Sequence, residues 1–138
     1  MSGFEEREAA WIALNQTRTR IFSRTERALV AAGFPRLHWY DVLWELERSP
    51  EGLRPKQLER QLLFDQSSFS RQVARMAEDG LITRHAAVGD GRGKILRITD
   101  NGRSLRRQMW DIYRKHIDEG MAEAQNSGSF DPITRLCD

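Results

Sequence analysis

The residue types best suited to chemistry in this sequence are the short hydroxyls and arginines of one segment, 66–78. At about 100° per residue, Phe69, Val73 and Met76 fall within about 60° of one another and predict the buried stripe of a helix. The opposite arc carries Ser67, Ser70, Arg71, Ala74 and Arg75. Because serine hydroxyls bond phosphates or base edges and a guanidinium matches O6 and N7 of guanine, this face could enter the major groove of DNA. The alternative is the solvated polar face of an ordinary amphipathic helix.

Further helices are predicted on both sides of this segment by apolar residues at helical spacing and by turn signals. The expected helices cover about 5–32, 36–48, 55–62, 66–79 and 100–125, with a short last helix that Asp131 caps. We expect Asp65 to cap the fourth helix, Gly80 to end it and Thr99 to cap the fifth. Leu14 is expected on the buried side of the first helix, together with Leu29.

After the fourth helix the apolar pattern becomes alternating, which predicts a β-hairpin with strands in 81–85 and 94–98. Its tip, 89–93, holds three glycines, which accept positive φ without steric cost. Such a hairpin could carry Arg92 into the adjacent minor groove, and Asp90 could hold a guanidinium by a charge-assisted bond. The alternative for the tip is a plain solvated turn.

The order of these elements is a helix, a tight turn, a second helix and a glycine-tipped hairpin, which predicts a winged helix-turn-helix core. The expected fold class is therefore mainly α with a small β-hairpin wing (α+β), with further helices at both ends. In such a core the second helix enters the major groove and the hairpin reaches along the duplex.

Three motifs of this core resemble those of the multiple antibiotic resistance regulator (MarR) family. They are Ser67-Ser68-Phe69-Ser70-Arg71, Glu78-Asp79-Gly80-Leu81-Ile82-Thr83-Arg84 and Asp90-Gly91-Arg92-Gly93-Lys94. The first is similar to the family's recognition-helix pattern and the third to its Asp-x-Arg-x-Lys wing signature, so the resemblance adds Ser68 and Lys94 to the candidates. The predicted DNA-binding residues are Ser67, Ser68, Ser70, Arg71, Arg75, Asp90, Arg92 and Lys94.

The resemblance also implies an organisation and a function. One MarR-like domain would cover 1–138, with a winged-helix DNA-binding lobe at 36–98 and dimerisation helices at 1–35 and 99–138. The implied activity is that of a homodimeric, sequence-specific transcription regulator, a repressor that binds palindromic operators in double-stranded DNA. A small molecule, often a phenolic or aromatic acid, would release it by binding between the dimer helices and the lobe. The family's organic-hydroperoxide sensors carry a reactive cysteine in the N-terminal helix, and this chain has none there, so we expect no peroxide sensor.

Aromatic residues indicate where such a ligand could bind. Three of them crowd one short predicted helix, and the family packs the helices of two others beside it. The residues concerned are Trp39, Tyr40, Trp44, Phe22 and Trp110. They could line an apolar cleft with His38 or Arg18 as the polar anchor for a carboxylate, so the candidate ligand residues are Arg18, Phe22, His38, Trp39, Trp44 and Trp110. The alternative is that these rings are ordinary core residues.

The charge of the chain is divided unevenly along its length. The net charge is +2, but residues 54–107 hold 12 Lys and Arg against 6 Asp and Glu, a balance of +6, whereas the remainder has a balance of −4. A basic centre between acidic ends can meet a polyanion with one part of the molecule. The charge distribution alone is equally consistent with an ordinary solvated surface. The rival class is a winged-helix protein-interaction module without specific DNA binding, whose arginines face an acidic partner.

The composition and motifs of the sequence disfavour a secreted protein, a membrane protein, a metal-binding protein and an enzyme. The single cysteine, Cys137, permits neither an internal disulfide nor a cysteine-based zinc site, and a lone thiol suits a reducing cytoplasm. The acidic start lacks a secretory pattern, and no apolar stretch approaches about 18 residues, so we expect a cytoplasmic protein without membrane association. The three histidines lie far apart, and neither a phosphate loop nor a nucleophile elbow is visible. We therefore expect no enzyme, no metal and no cofactor.

Overall fold

The computed structural model describes residues 2–65, 67–86 and 93–138. Within them the chain forms six helices and two strands, which confirms the predicted fold class. The elements are α1 (Gly3–Ala31), α2 (Leu37–Glu47), α3 (Pro55–Gln61), α4 (Phe69–Glu78), β1 (Ile82–Ala86), β2 (Lys94–Ile98), α5 (Asp100–Asn126) and α6 (Asp131–Cys137). The chain divides into a unit of residues 33–110 and a unit of residues 1–32 and 111–138, and α5 contributes to both.

The unit of residues 33–110 is a winged helix-turn-helix around one apolar core. Apolar residues at helical spacing on α2 and α4, and at alternate positions on β2, turn inward together. The core side chains are Val42, Leu43, Leu46, Leu58, Phe69, Val73, Met76, Leu81, Ile82, Leu96 and Ile98. The strands pair antiparallel, from Ile82 opposite Ile98 to Ala86 opposite Lys94. The predicted hairpin strands and the predicted buried stripe of the fourth helix are confirmed.

One of the two predicted ends of α4 is right. Gly80 has φ +75°, and the Leu81 N–H donates to the Met76 carbonyl oxygen at 3.0 Å, which closes the helix in the expected way. The predicted cap at Asp65 is wrong, because the helix starts only after Ser68. Ser68 has a left-handed backbone (φ +59°, ψ +40°), which an α-helix cannot contain, so α4 begins about one turn later than expected.

The start of α5 is fixed tightly to the winged core. The hydroxyl of Thr99, the predicted cap, accepts the Gly102 N–H at 3.0 Å and donates to the Gly80 carbonyl oxygen at 2.6 Å. Gly102 lies so close to the chain after α4 that a Cβ there would stand 2.2 Å from the Leu81 carbonyl oxygen. The predicted cap is confirmed, and the glycine permits the close approach.

The other unit consists of α1, the C-terminal part of α5, and α6. Ser2 and Glu5 form a capping box at the start of α1. α1 packs against α6 and against α5, where a Cβ on Gly120 would stand 2.4 Å from Cγ1 of Ile21. No helix in the described part of the chain combines the length and the apolar character needed to cross a membrane.

Two predictions within this unit are wrong. Leu14 is 49% exposed, and the buried side of α1 instead includes Thr17 and Thr25. Thr25 tolerates burial because its hydroxyl donates to the Ile21 carbonyl oxygen at 2.7 Å within the same helix. Asp131 is the first residue of α6 rather than its cap, because its N–H already bonds a carbonyl oxygen of the preceding turn at 3.1 Å.

Candidate nucleic-acid interface

Five of the predicted DNA-binding residues lie together along the outer side of α4 and just before it. We call them the recognition face, and all are exposed: Ser67, Ser68, Ser70, Arg71 and Arg75. The opposite side of α4 is buried in the core, so the helix cannot rotate without opening that core. A fixed helix with serines and arginines near its N-terminal end matches the geometry by which recognition helices reach base edges.

Ser68 gives the recognition face an unusual backbone. Among the described residues it is the only non-glycine residue at positive φ. Its side chain makes no capping hydrogen bond, so it leaves the first-turn N–H groups of α4 without that acceptor. Helix N-termini attract anions through such N–H groups and the helix dipole, and backbone strain is often found at binding sites. The start of α4 is thus suited to a phosphate contact.

Two side-chain hydrogen bonds connect α2 with α4 and with the chain leading to it. Trp39 Nε1 donates to Oε1 of Gln72, in the middle of α4, at 2.8 Å. The buried Asp41 accepts the Phe64 N–H at 2.9 Å. Burial raises the pKa of Asp41 above its ordinary 3.8, while the N–H groups of Phe64 and Leu63 act in the opposite direction. Neither contact is predicted from the sequence, because the partners are 33 and 23 residues apart.

The wing adds basic residues beside the helix-turn-helix. Lys94 is exposed at the start of β2. The predicted wing residues Asp90 and Arg92 lie outside the described residues. Arg97, exposed on β2, donates from Nε to a backbone carbonyl oxygen before α3 at 3.1 Å. The described base of the wing is therefore basic and is held to the turn that precedes α3.

Arg54 is a residue of this region that the sequence analysis did not single out. Its Nη1 lies 3.1 Å from the place that a Cβ would take on Gly93, next to β2. The local sequence, an arginine before Pro55, indicates only a helix start. Its membership of the basic segment 54–107 is the one sequence signal that favours a role at this surface.

A cleft of about 680 Å³ lies beside α4 within the unit of residues 33–110. Its walls come from the chain before α2, the first turn of α2 and one side of α4. The lining includes Arg36, His38, Trp39, Ser67, Gln72, Arg75 and Asp79. The cleft therefore brings two candidate ligand residues, His38 and Trp39, next to two residues of the recognition face.

The other candidate ligand residues do not line this cleft. Arg18 and Phe22 lie on α1, in the other unit. Trp44 and Trp110 are 40% and 36% exposed and belong to a second aromatic group, together with Tyr40. The structure therefore divides the six candidates among three places in the chain.

The second aromatic group surrounds one guanidinium. The rings of Tyr40 and Trp110 stack with centroids 6.2 Å apart, and the Arg106 guanidinium lies 5.3 Å from the Trp44 ring centroid. Arg106 also pairs with Glu47. Burial raises the pKa of Tyr40 above 10.0, against the effect of the hydrogen bond from Arg106. This group joins α2 to the start of α5 and accounts for part of the aromatic content that the sequence analysis connected with a ligand.

Metal chemistry has no visible basis in the described ranges 2–65, 67–86 and 93–138. No three His, Cys, Asp or Glu side chains there approach closely enough to hold an ion. Cys137 is exposed on α6.

The exposed α4 and the adjoining hairpin define a winged helix-turn-helix protein, and comparison with known proteins shows which regulators it is similar to. The MarR family model matches residues 32–93. The organic hydroperoxide resistance transcriptional regulator of Bacillus subtilis (strain 168) is 32% identical over 71 residues, which cover 51% of this chain and 46% of that relative. The match thus spans about half the length of the relative.

Solved structures share the fold over most of the chain. Sco3205, a MarR family transcriptional regulator from Streptomyces coelicolor in complex with DNA, matches with a TM-score of 0.72 and 21% identity over 96% of this chain and 86% of its own. The PcaV transcriptional regulator from the same organism, in complex with its natural ligand, matches with a TM-score of 0.58 and 26% identity over 72% of each chain. The resemblance to the MarR family seen in the sequence is confirmed, and the family model matches it over residues 32–93.

Proposed function

We propose that this chain is a transcription regulator that reads specific DNA sequences with the recognition face of α4. The observation that carries the proposal is the arrangement of this helix, whose inner side is fixed in the core while its serines and arginines face solvent. In the major groove, Arg71 and Arg75 can each donate two parallel hydrogen bonds to a guanine. The serine hydroxyls can bond phosphates or base edges and so set the register of the helix.

The wing is proposed to bind along the duplex beside α4. Lys94 would contact a phosphate, and Arg92 would enter the minor groove, where a narrow groove concentrates negative potential. Asp90 would orient a guanidinium for that contact. The balance of +6 over residues 54–107, the segment that contains both α4 and the wing, supports a polyanionic partner.

The relatives support this assignment. Sco3205 shares the fold and was solved with DNA, and the Bacillus relative is named as a transcriptional regulator. The prediction that the chain is not an enzyme agrees with a family of regulators. The hydroperoxide response in the relative's name is not carried over, because Cys137 is the single cysteine of this chain and lies on α6.

We further propose that the regulator is a homodimeric repressor, with segments 1–35 and 99–138 forming the dimer. Phe4 and Trp11 of α1 are each 66% exposed and lie seven residues apart, on one side of the helix. A second copy would cover these large apolar side chains. Two-fold symmetry then requires an operator with inverted half-sites about 34–36 Å apart, one turn of DNA.

A small aromatic acid is proposed to release the repressor by binding in the cleft beside α4. Trp39 offers a ring for stacking, and His38 and Arg75 offer donors for a carboxylate. Arg75 belongs to both the cleft and the recognition face, so a carboxylate that engages its guanidinium would withdraw it from DNA. The solved complex of PcaV with its natural ligand supports ligand control within this fold.

Salt dependence of binding tests the proposal against the protein-interaction alternative. We expect binding to a random-sequence duplex to weaken with salt, with a slope of about −0.9 in log K per log salt for each phosphate neutralised. A matched inverted repeat should bind at least about 10³-fold more tightly at the same salt. The absence of salt-dependent binding to either duplex would contradict the proposal and leave the protein-interaction module.

A further inference from the structure

Asp41 is a buried carboxylate that lies behind the recognition face. Only 4% of this residue is exposed, although it carries a carboxylate and lies on the side of α2 that packs into the core. Its Oδ2 accepts the Phe64 N–H at 2.9 Å, and the Leu63 N–H donates to the same carboxylate. Both donors belong to residues 62–65, which follow α3 and which we call the approach to α4. Asp41 thus connects α2 directly with the chain that leads to the recognition face.

The approach to α4 needs such an acceptor because α3 ends at Gln61. The next residue, Leu62, is extended (φ −64°, ψ 138°), so the N–H groups that follow turn away from the carbonyl oxygens of α3. Phe64 is only 7% exposed, which also shields its N–H from water. Buried backbone donors without an acceptor are strongly unfavourable, and a carboxylate is the strongest acceptor that a side chain supplies.

The carboxylate itself is unfavourable at this depth, which points to a directional role. Burial raises the pKa of Asp41, against the N–H groups of Phe64 and Leu63 and the charge of His38. An apolar residue of similar size avoids that desolvation, so packing alone does not explain an aspartate here. Unlike an apolar residue, a carboxylate accepts hydrogen bonds from two backbone N–H groups and so fixes the orientation of that backbone.

We propose that Asp41 is a positioning residue for DNA recognition, which holds the approach to α4 at Leu63 and Phe64 and so sets where the recognition face begins. This inference rests on the proposed function. The point of attachment is rigid, because the neighbouring Val42 and Leu43 are fully buried in the core. Ser68 follows Phe64 by four residues, so a change in the path at Phe64 shifts the first residues that meet DNA.

The test compares Asp41→Asn and Asp41→Ala with a matched control, Glu45→Gln. Asparagine keeps the size of aspartate and one acceptor oxygen, but it loses the second acceptor atom and the negative charge that strengthens the bonds from the two N–H donors. Glu45 lies one turn further along α2, has only 13% of its side chain exposed and pairs with Arg48 of the same helix at 3.4 Å. Its replacement removes one carboxylate from α2 without a change at the approach to α4.

The first readout is DNA affinity at one salt concentration, measured on a duplex selected with the wild-type protein and on a random duplex. We expect both Asp41 variants to lose at least about tenfold on the selected duplex and less than about twofold on the random duplex. Glu45→Gln should change neither affinity by more than about twofold. A merely structural role would lower both affinities together, and equal losses on the two duplexes overturn the proposal.

The second readout is amide hydrogen exchange in the full chain, at a temperature where all variants are folded. Exchange at Leu63 and Phe64 should be faster in both Asp41 variants than in the wild type, with exchange at the core residue Leu43 unchanged. Unchanged exchange at Leu63 and Phe64 overturns the proposal. If the wild type does not distinguish the selected duplex from the random one, the proposed function fails, whereas the exchange result still decides whether Asp41 holds the approach.

Discussion

Replacing Arg71 with alanine should weaken binding to a specific operator far more than binding to random DNA. Arg71 is exposed in the first turn of α4 and does not line the cleft. Its removal therefore changes the recognition face without altering the proposed ligand site. Because the side chain projects from a helix whose inner side is buried, the loss of the guanidinium should leave the fold intact.

The size of this effect follows from the proposed contact and symmetry. A two-pronged contact between arginine and guanine contributes about 1–3 kcal/mol. A homodimer presents Arg71 to both half-sites, so the variant should lose about 2–6 kcal/mol, or about 30-fold to 10⁴-fold in Kd. Random DNA offers no matched guanine and should lose about tenfold or less, through the lost positive charge alone.

Fluorescence anisotropy with two labelled duplexes of equal length measures both losses. Arg107→Ala is a suitable control, because it removes the same charge from an exposed position on α5. This control should reduce both affinities slightly and equally. Equal losses on the two duplexes for Arg71→Ala, or a specific loss of the same size for Arg107→Ala, would refute the claim that Arg71 reads sequence.

Three further expectations concern the cleft, the packing of α5 and the buried carboxylate. Arg75→Ala should weaken DNA binding and also abolish release from DNA by benzoate, whereas Arg71→Ala should keep the response to benzoate. A titration of the DNA complexes with benzoate compares the two variants, and retained release in Arg75→Ala would contradict a role of Arg75 in both the cleft and the recognition face. Gly102→Ala should lower the free energy of unfolding by about 1–3 kcal/mol, because its Cβ would stand 2.2 Å from the Leu81 carbonyl oxygen. Urea denaturation measures this change, and an unchanged free energy of unfolding would be inconsistent with that contact. Burial raises the pKa of Asp41 above 3.8 in the folded state, so the folded protein binds the proton more tightly than the unfolded chain does. The free energy of unfolding of the wild type, relative to that of Asp41→Asn, should therefore fall as pH rises from 3.8 through the raised pKa. Urea titrations at several pH values measure this difference, and a difference independent of pH would refute the expectation.

Local signals in the sequence suffice to predict most of the winged core. The helical period of Phe69, Val73 and Met76 identifies the buried side of α4, and so also the recognition face opposite to it. Gly80 and Thr99 mark helix ends, because positive φ and N-terminal capping are properties of single residues. Such features depend on a few neighbouring positions and are therefore readable before the fold is known.

Contacts between distant residues could not be predicted in this way. Asp41 and Phe64, like Trp39 and Gln72, meet only because α2 packs beside α4 and the approach to it. The helical period also predicts Leu14 on the buried side of α1, and this is wrong. Hydrophobicity alone does not show which side of a long helix packs against the rest of the same chain. In the proposed homodimer the exposed apolar side chains of α1 would be covered by the second copy.

The proposed homodimer should recognise an inverted repeat in DNA. The measurement that decides this is selection of bound sequences from a random duplex library, with the purified full chain at near-physiological salt. We expect enrichment of two inverted half-sites whose centres lie about 10 base pairs apart. Retention of library DNA without enrichment of any sequence, or enrichment of a single half-site without symmetry, would contradict it.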